Sequence, residues 1–589
     1  MRVFVIVLFL LCSVFSYAQE QQMAYDYFRK GEYEKAASIY KSLYEKNKFN
    51  ATYLTRLIDC EQQLTNFDVA KNLIENHLEE FPTQYHFYVE LGYNYELQHQ
   101  QEIANSHYQK ALDFLEKNYN YGYSIGKAFQ NNHLLDYALK AYTLTMKKNP
   151  NANYNLQIAS IYGEKGEINN MFDTYLNMVE KDEKYTATIL RYIGKFITDD
   201  GANENNILFR KLVLKRLQSN QLNSWNQILS WLYMQQKEFG KAFIQEKALH
   251  KRNNESIEGI INVGEIAFDN NDFKTTHDVF TYILENTDNQ SGILDAKLYL
   301  LYVSIEILED LNAVDLQFQE IFNQYGKTTN TLEIQIAYAG FLTFKKNQPQ
   351  QAILVLKEAL KLRSDNFQKA EIKLKLGDIL VFNGKFNEAL IYFSQVQTKL
   401  KNHILAQEAR FKVAQTSYFK GDFEWAETQL KVLKGSTSQL IANDALDLSL
   451  IINDNSAQDS LKIALKKYAQ ADLLVFQHKN KEAIDSLNAI LNEYKGHPIE
   501  DETLFKQATV YEEIKEYLKA ETNYLKIIEI NPNDILVDDA YFRLGELYSK
   551  QENIEKAKEY YQKIIFDFPS SIHLVKARNK FRKLRGDDI

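Results

Sequence analysis

Eleven histidines, two cysteines and several adjacent carboxylates are the side chains with which this chain could do chemistry. Two converging carboxylates could act as general acid and base. The pairs here, such as Glu79-Glu80 and Asp538-Asp539, are neighbours in sequence, so on a helix they project in different directions and read as surface charge. Two histidines could begin a metal site. His99 and His107 come closest, but no cysteine or repeated carboxylate arrangement stands beside them. The loop from Asp199 to Asn206 is acidic, yet lacks the alternating ligands of a calcium loop and reads as a solvated hinge. No glycine-rich phosphate loop, nucleophile elbow or HExxH occurs. The expectation is a chain that is not an enzyme, with no catalytic residue, no metal site and no cofactor.

The first residues are a separate object. Met1-Arg2 precedes the apolar run VFVIVLFLLCSVF, and Ser16-Tyr17-Ala18 supplies small residues at the spacing of a cleavage site. This pattern predicts a secretory signal peptide removed after about Ala18. The run is shorter than the roughly 18 to 20 residues needed to span a bilayer. Leu11 before Cys12 lacks the small side chain a lipoprotein box needs, and no later segment is apolar enough to cross a membrane. Once Cys12 leaves, Cys60 stands alone and no internal disulfide is possible. The balance of 69 basic against 78 acidic residues is mildly acidic, which disfavours bulk nucleic-acid binding.

The elements that must position any site are legible as a ladder. Ala36, Ala70, Ala104 and Ala138 are each 34 residues apart. With each alanine placed at position 20 of its unit, position 8 is Ile58, Gly92 and Gly126, and position 24 is Tyr40, Ile74, Tyr108 and Tyr142. Small residues at 8 and 20 suit the closest approach of two antiparallel helices, and bulky residues at 24 fill the groove beside them. Pro82 and Pro150 end the second helix, and all six prolines fall where this pattern needs a turn. Met171 replaces the alanine in the fifth unit. The beat blurs over 185–222 and 292–330. It resumes with Ala352, Ala389 and Ala426, then Ala483, Ala520 and Ala557, now 37 residues apart. A period of this size is the mark of a stacked-repeat solenoid.

This pattern resembles the tetratricopeptide repeat. The resemblance implies an all-α fold, a helix-turn-helix superhelix of about 12–13 repeats. The last hundred residues are similar in repeat type to periplasmic tetratricopeptide proteins of outer-membrane assembly and cell-envelope division. The expected organisation is a signal peptide over 1–18, a 34-residue array over 19–184, and a degenerate helical stretch over 185–332. A 37-residue array over 333–438, an irregular joint over 439–463, and a second 37-residue array over 464–569 follow, with a capping helix and tail over 570–589.

In that family, positions 2, 5, 9 and 12 of the first helices line a concave wall that binds extended peptides or a partner's helix. Transferred by register, these are Thr52, Thr55, Asp59 and Gln62; His86, Val89, Tyr93 and Glu96; and Asn120, Tyr123, Lys127 and Gln130. The basic-and-asparagine clamp that holds a C-terminal carboxylate in chaperone-binding members is absent from these positions. The resemblance and the leader together imply an exported, periplasmic scaffold that binds protein partners in the bacterial cell envelope. The alternative is an accessory factor in outer-membrane or cell-wall assembly that binds a folding client or peptidoglycan.

Overall fold

A computed structural model describes residues 20–253, 256–307, 310–436, 438–456 and 462–586. The expected signal peptide over 1–18 lies outside them. The described residues form α-helices joined by turns and short 3-10 segments, with no strand among them. Consecutive helices pack as antiparallel pairs, here called the A and B helix of each unit. The first pair is 20–29 with Tyr33–Lys46 and the last is Val537–Lys550 with Ile554–Asp567. There are fifteen such pairs among the described residues, more than the 12–13 expected, because the degenerate middle contains four complete ones. The fold is an all-α, tetratricopeptide-like solenoid.

The alanine ladder marks the contact inside each pair. Ala36, Ala70, Ala104, Ala138, Ala352, Ala389, Ala426, Ala483, Ala520 and Ala557 are all fully buried. Opposite them, glycine at position 8 is followed sixteen residues later by an aromatic ring. A Cβ placed on Gly92, Gly126, Gly377 or Gly545 would come within 2.4, 2.5, 2.3 and 2.6 Å of Tyr108, Tyr142, Phe393 and Tyr561 respectively. Ala104→Leu should therefore overpack its unit and cost about 1–3 kcal/mol in urea unfolding. Met171 is accommodated in the alanine's place because its sulfur lies beside Gly163, where a Cβ would meet it at 2.9 Å.

The A-to-B turn recurs with one backbone solution. Residue 15 of the unit is left-handed in Thr65, His99, His133, Asn271, His478, Lys515 and Glu552, as well as at Gly31, Gly166, Gly384 and Gly421. The next amide bonds back to position 11, as in Gln100 N–H to Tyr95 O at 2.9 Å and Glu516 N–H to Tyr511 O at 2.8 Å. This is the Schellman way of ending a helix. A side chain in that conformation is strained, so Lys515→Gly should stabilise the chain by about 0.5–1 kcal/mol, read as a higher urea midpoint.

By compactness the described residues form two units, one up to Ile197 with Ile207–Ile228 and one of Thr198–Asn206 with Leu229 onward. The changes of period do not mark breaks in packing. One buried apolar cluster runs from Leu294 to Ile499, through the expected boundary at 332/333 and past the expected joint. That joint is not irregular over its first part: Gln439–Asp454 is a helix that buries Ala445, Leu448 and Ile452. The hinge expected at Asp199–Asn206 is likewise pinned. Asn206 is fully buried, and its amide donates to Thr198 O at 2.9 Å and Asp200 O at 2.6 Å.

In the second unit the A helices of four successive pairs converge at their C-terminal ends. The Phe476 ring lies 5.8 Å from Phe419, 6.4 Å from Phe344 and 6.5 Å from Phe382, and Gln477 Nε2 donates to Phe382 O at 2.8 Å. Aromatic side chains thus fill the A-helix side of this stretch. The final helix, Leu574–Arg585, turns Ala577, Phe581 and Leu584 onto the last pair and so caps it.

Candidate partner-binding site

Three successive A helices of the first unit build a polar cavity. The helix Ala51–Gln63 starts at Asn50, whose side chain accepts the Thr52 amide at 3.1 Å. Its apolar face buries Leu54, Leu57, Ile58 and Cys60, so helical spacing presents Thr52, Thr55, Arg56 and Asp59 on the other. The next A helix, His86–Glu96, contributes Glu90, which is only 3% exposed. The third, Gly122–Asn131, contributes Asn131 and, at its cap, Asn132. Together with Ala51, these side chains line a cavity of about 400 Å³. A second cavity of about 500 Å³, bordered by the B-helix residues Gln109, Asp113, Glu116 and Lys140, has only exposed polar side chains on its rim.

The charges in the A-helix cavity are unevenly matched. Arg56 Nη1 donates to Asp59 Oδ2 at 3.1 Å, and its guanidinium also lies 5.3 Å from the Phe28 ring centre. Burial nevertheless raises the Asp59 carboxyl above its ordinary range, with Arg56 pulling the other way. Glu90 accepts from Asn132 Nδ2 at 3.1 Å, and Asn132 is itself held by a second bond to Ala128 O at 3.1 Å. Burial, and then repulsion from Asp59, push Glu90 up to about 8, and only the Asn132 amide opposes them. Among the described residues no cation pairs with Glu90.

A comparison within the chain shows how unusual this is. In the 37-residue arrays the acid at position 9 pairs with a lysine 34 residues later, at position 6 of the following unit. Lys412 meets Asp378 at 2.8 Å and Lys506 meets Asp472 at 2.8 Å. Lys580 of the capping helix meets Glu546 at 2.7 Å. In a 34-residue unit the same two register positions fall on Asp59 and Glu90, two acids.

Of the wall residues taken from the repeat register, Thr55 and Asp59 line the cavity, Thr55 with its hydroxyl bonded to Ala51 O at 3.0 Å. Tyr93 is half-buried, and its phenol is raised by burial and by Glu96, Asp59 and Glu90. His86 is partly buried and lies outside the cavity lining; desolvation and the nearby His77 push it down to about 4, so it is neutral at pH 7. Asn120 is exposed in the 3-10 turn Tyr119–Tyr121, Tyr123 is 52% exposed beside Tyr154, and Lys127 is exposed. None of these three lines the cavity. Two further wall positions are corrected: Val89 is fully buried in the apolar cluster, and Gln62 is buried with its amide on Asn94 at 3.4 Å. Glu96 is engaged by the Tyr108 hydroxyl at 2.7 Å. Cys60 is buried with its thiol pushed up to about 12, which makes it a core residue and not a nucleophile.

Arg56, Glu90, Asn131 and Asn132 were not among the expected residues. The available signal was Glu90 itself, an acid set between Val89 and Leu91 in the buried face of a helix. Among the described residues no cluster of three or more histidine, cysteine or acidic side chains could hold a metal ion. No helix among them is long and apolar enough to cross a membrane.

The family model for the tetratricopeptide repeat matches residues 501–534 and 538–565. These are tetratricopeptide repeats. The matched tetratricopeptide units comprise the pairs Ile499–Glu513 with Tyr517–Ile530 and Val537–Lys550 with Ile554–Asp567. No curated protein matches the chain. Solved structures that align with it include the structure of Naa15/Naa10 bound to HypK-THB, at 11% identity over 97% of this chain and 96% of that one, with a TM-score of 0.31. Another is the crystal structure of the APC/C hetero-tetramer Cut9-Hcn1, at 13% identity over 96% of each chain, with a TM-score of 0.26.

Proposed function

We propose that this chain is a non-enzymatic, exported scaffold that binds protein partners through its tetratricopeptide A helices in the bacterial cell envelope. The observation that carries the binding role is the A-helix cavity, which three repeats jointly line with polar and charged side chains. The leader sequence supports export to the periplasm, and the absence of any catalytic motif supports a non-enzymatic role.

Two experiments test the two halves of this reading. Cross-linking in intact cells followed by pull-down of the full chain should recover one or a few envelope proteins; recovery of monomer alone under all conditions overturns the scaffold. N-terminal sequencing of the protein from the periplasmic fraction should begin at about Gln19. A chain retained in the cytoplasm with Met1 intact overturns export.

A further inference from the structure

The register slot that holds a lysine in three places of the C-terminal half holds a carboxylate at Glu90. Each of those lysines spans two adjacent helices and neutralises an acid on the preceding one. At the equivalent place in the first unit Asp59 faces Glu90, and Arg56, on the same helix as Asp59, is spent on Asp59. With no cation beside it, Glu90, 3% exposed, keeps its proton well above the ordinary carboxylate range, and a cation seated against it would offset the cost of ionising it. Here it borders a cavity large enough for a side chain.

We propose that this cavity receives a cationic side chain, lysine or arginine, from a protein partner, seated between Asp59 and Glu90 where the chain's own lysines sit in its other repeats. Asn132 holds one Glu90 oxygen and so presets the carboxylate for the incoming donor. Thr52, Thr55 and Asn131 add neutral hydrogen-bonding groups around it. An anionic ligand would meet two acids and only one, already paired, arginine. Arginine suits the site best, because its planar fork can satisfy two carboxylates at once. The inference rests on the scaffold reading and names the chemistry by which the first unit recognises its partner.

Saturation-transfer NMR on the full chain at pH 8.5, where Glu90 has given up its proton, tests it, with N-acetyl-arginine methylamide and N-acetyl-lysine methylamide as probes and the neutral citrulline compound as control. The cationic probes should receive saturation and the citrulline compound at least fivefold less. Glu90→Gln, which keeps an acceptor for Asn132, should remove most of the signal while the protein stays folded. Glu90→Lys should supply the missing ammonium internally, abolish binding and raise the unfolding midpoint. Equal transfer to citrulline, no transfer to either cation, or unchanged binding in Glu90→Gln overturns the proposal. So does a lowered midpoint in Glu90→Lys, because the slots would then not be equivalent. If cross-linked partners are still recovered when these probes fail, the scaffold stands and only the cation site falls.

Discussion

Gly377→Leu should lower the unfolding free energy by about 3 kcal/mol or more, whereas Gly340→Leu should raise it by about 0.5–1 kcal/mol. The two glycines occupy the same register position in adjacent units, and sequence spacing alone predicts the same result for both. Their surroundings differ. A Cβ on Gly377 would lie 2.3 Å from the Phe393 ring, which is fully buried and has nowhere to move. A Cβ on Gly340 would meet only Lys375 Nζ, at 4.0 Å. The cause is the turn that follows. In the Gly377 unit the position-16 amide bonds to position 11, Lys385 N–H to Leu380 O at 2.7 Å. In the Gly340 unit Gln348 N–H reaches one residue further back, to Leu342 O at 2.7 Å, and Ala339, one residue earlier than the glycine, is the fully buried small residue. Leucine at Gly340 thus gains helix propensity at little steric cost. Repeat arrays can unfold piecewise, so hydrogen exchange over Leu332–Phe344 and Asn366–Phe382 is the measurement to compare with the urea midpoint. Equal losses for the two variants would show that the turn does not shift the register.

The same contrast explains what was legible in the sequence. Alanine at position 20 and the glycine-to-aromatic spacing of sixteen residues report a steric requirement at one contact, and that requirement survives wherever the contact is kept. In the middle of the chain the requirement is kept only in places: Ala242 is fully buried and a Cβ on Gly264 would meet Phe280 at 2.8 Å, but at the alanine position of that same pair stands Thr276, buried with its hydroxyl on Asp272 O at 2.9 Å, so the beat blurs and the repeat count falls short. Gln439–Asp454 was hidden differently. The stretch 438–460 that contains it turns polar from Asn453 on and so reads as a joint, yet within the helix Ala445, Leu448 and Ile452 keep helical spacing and are buried. The extra residues of the longer period are also visible only in three dimensions. In one unit they extend the A helix to the 17 residues Asn366–Phe382, started by a capping box in which Asp365 accepts from Phe367 N and Gln368 N at 2.7 and 2.9 Å. The cavity escaped sequence reading because the transferred register assigned positions 2, 5, 9 and 12 to the wall and left out position 6, where Arg56 and Glu90 stand. A register says which residues share a face. Whether a face is packed, as at Val89, or open, as at Asp59, depends on the neighbouring repeat.

Glu90→Gln should be close to neutral for the stability of the first unit at pH 4.5 and stabilising by an amount on the order of 4 kcal/mol at pH 8.5. The sign follows from the raised carboxyl. Glu90 in the folded chain holds its proton up to about 8, against an ordinary value of 4.5. The folded state therefore binds more protons than the unfolded state between those limits. Stability linked to this group is fully present below about 4.5 and is lost as pH rises through about 8. Glutamine cannot titrate, so the difference between wild type and variant isolates Glu90 from groups of opposite sense in the same unit, such as Asp136 and Glu167, whose carboxyls are lowered by Lys165. The neighbours that face Glu90 remain in place in both proteins: Asp59 with its Arg56, Tyr93 on the same helix and Asn132 from the next repeat. Protection factors for amides in His86–Glu96 and Gly122–Asn131, corrected for intrinsic exchange at each pH, give the measurement. A pH-independent difference would mean that Glu90 titrates alike in the folded and unfolded chain. Burial beside Asp59 would then cost the carboxylate nothing, and the second unit's Asp472–Lys506 arrangement would give no reason to expect a cation at this place.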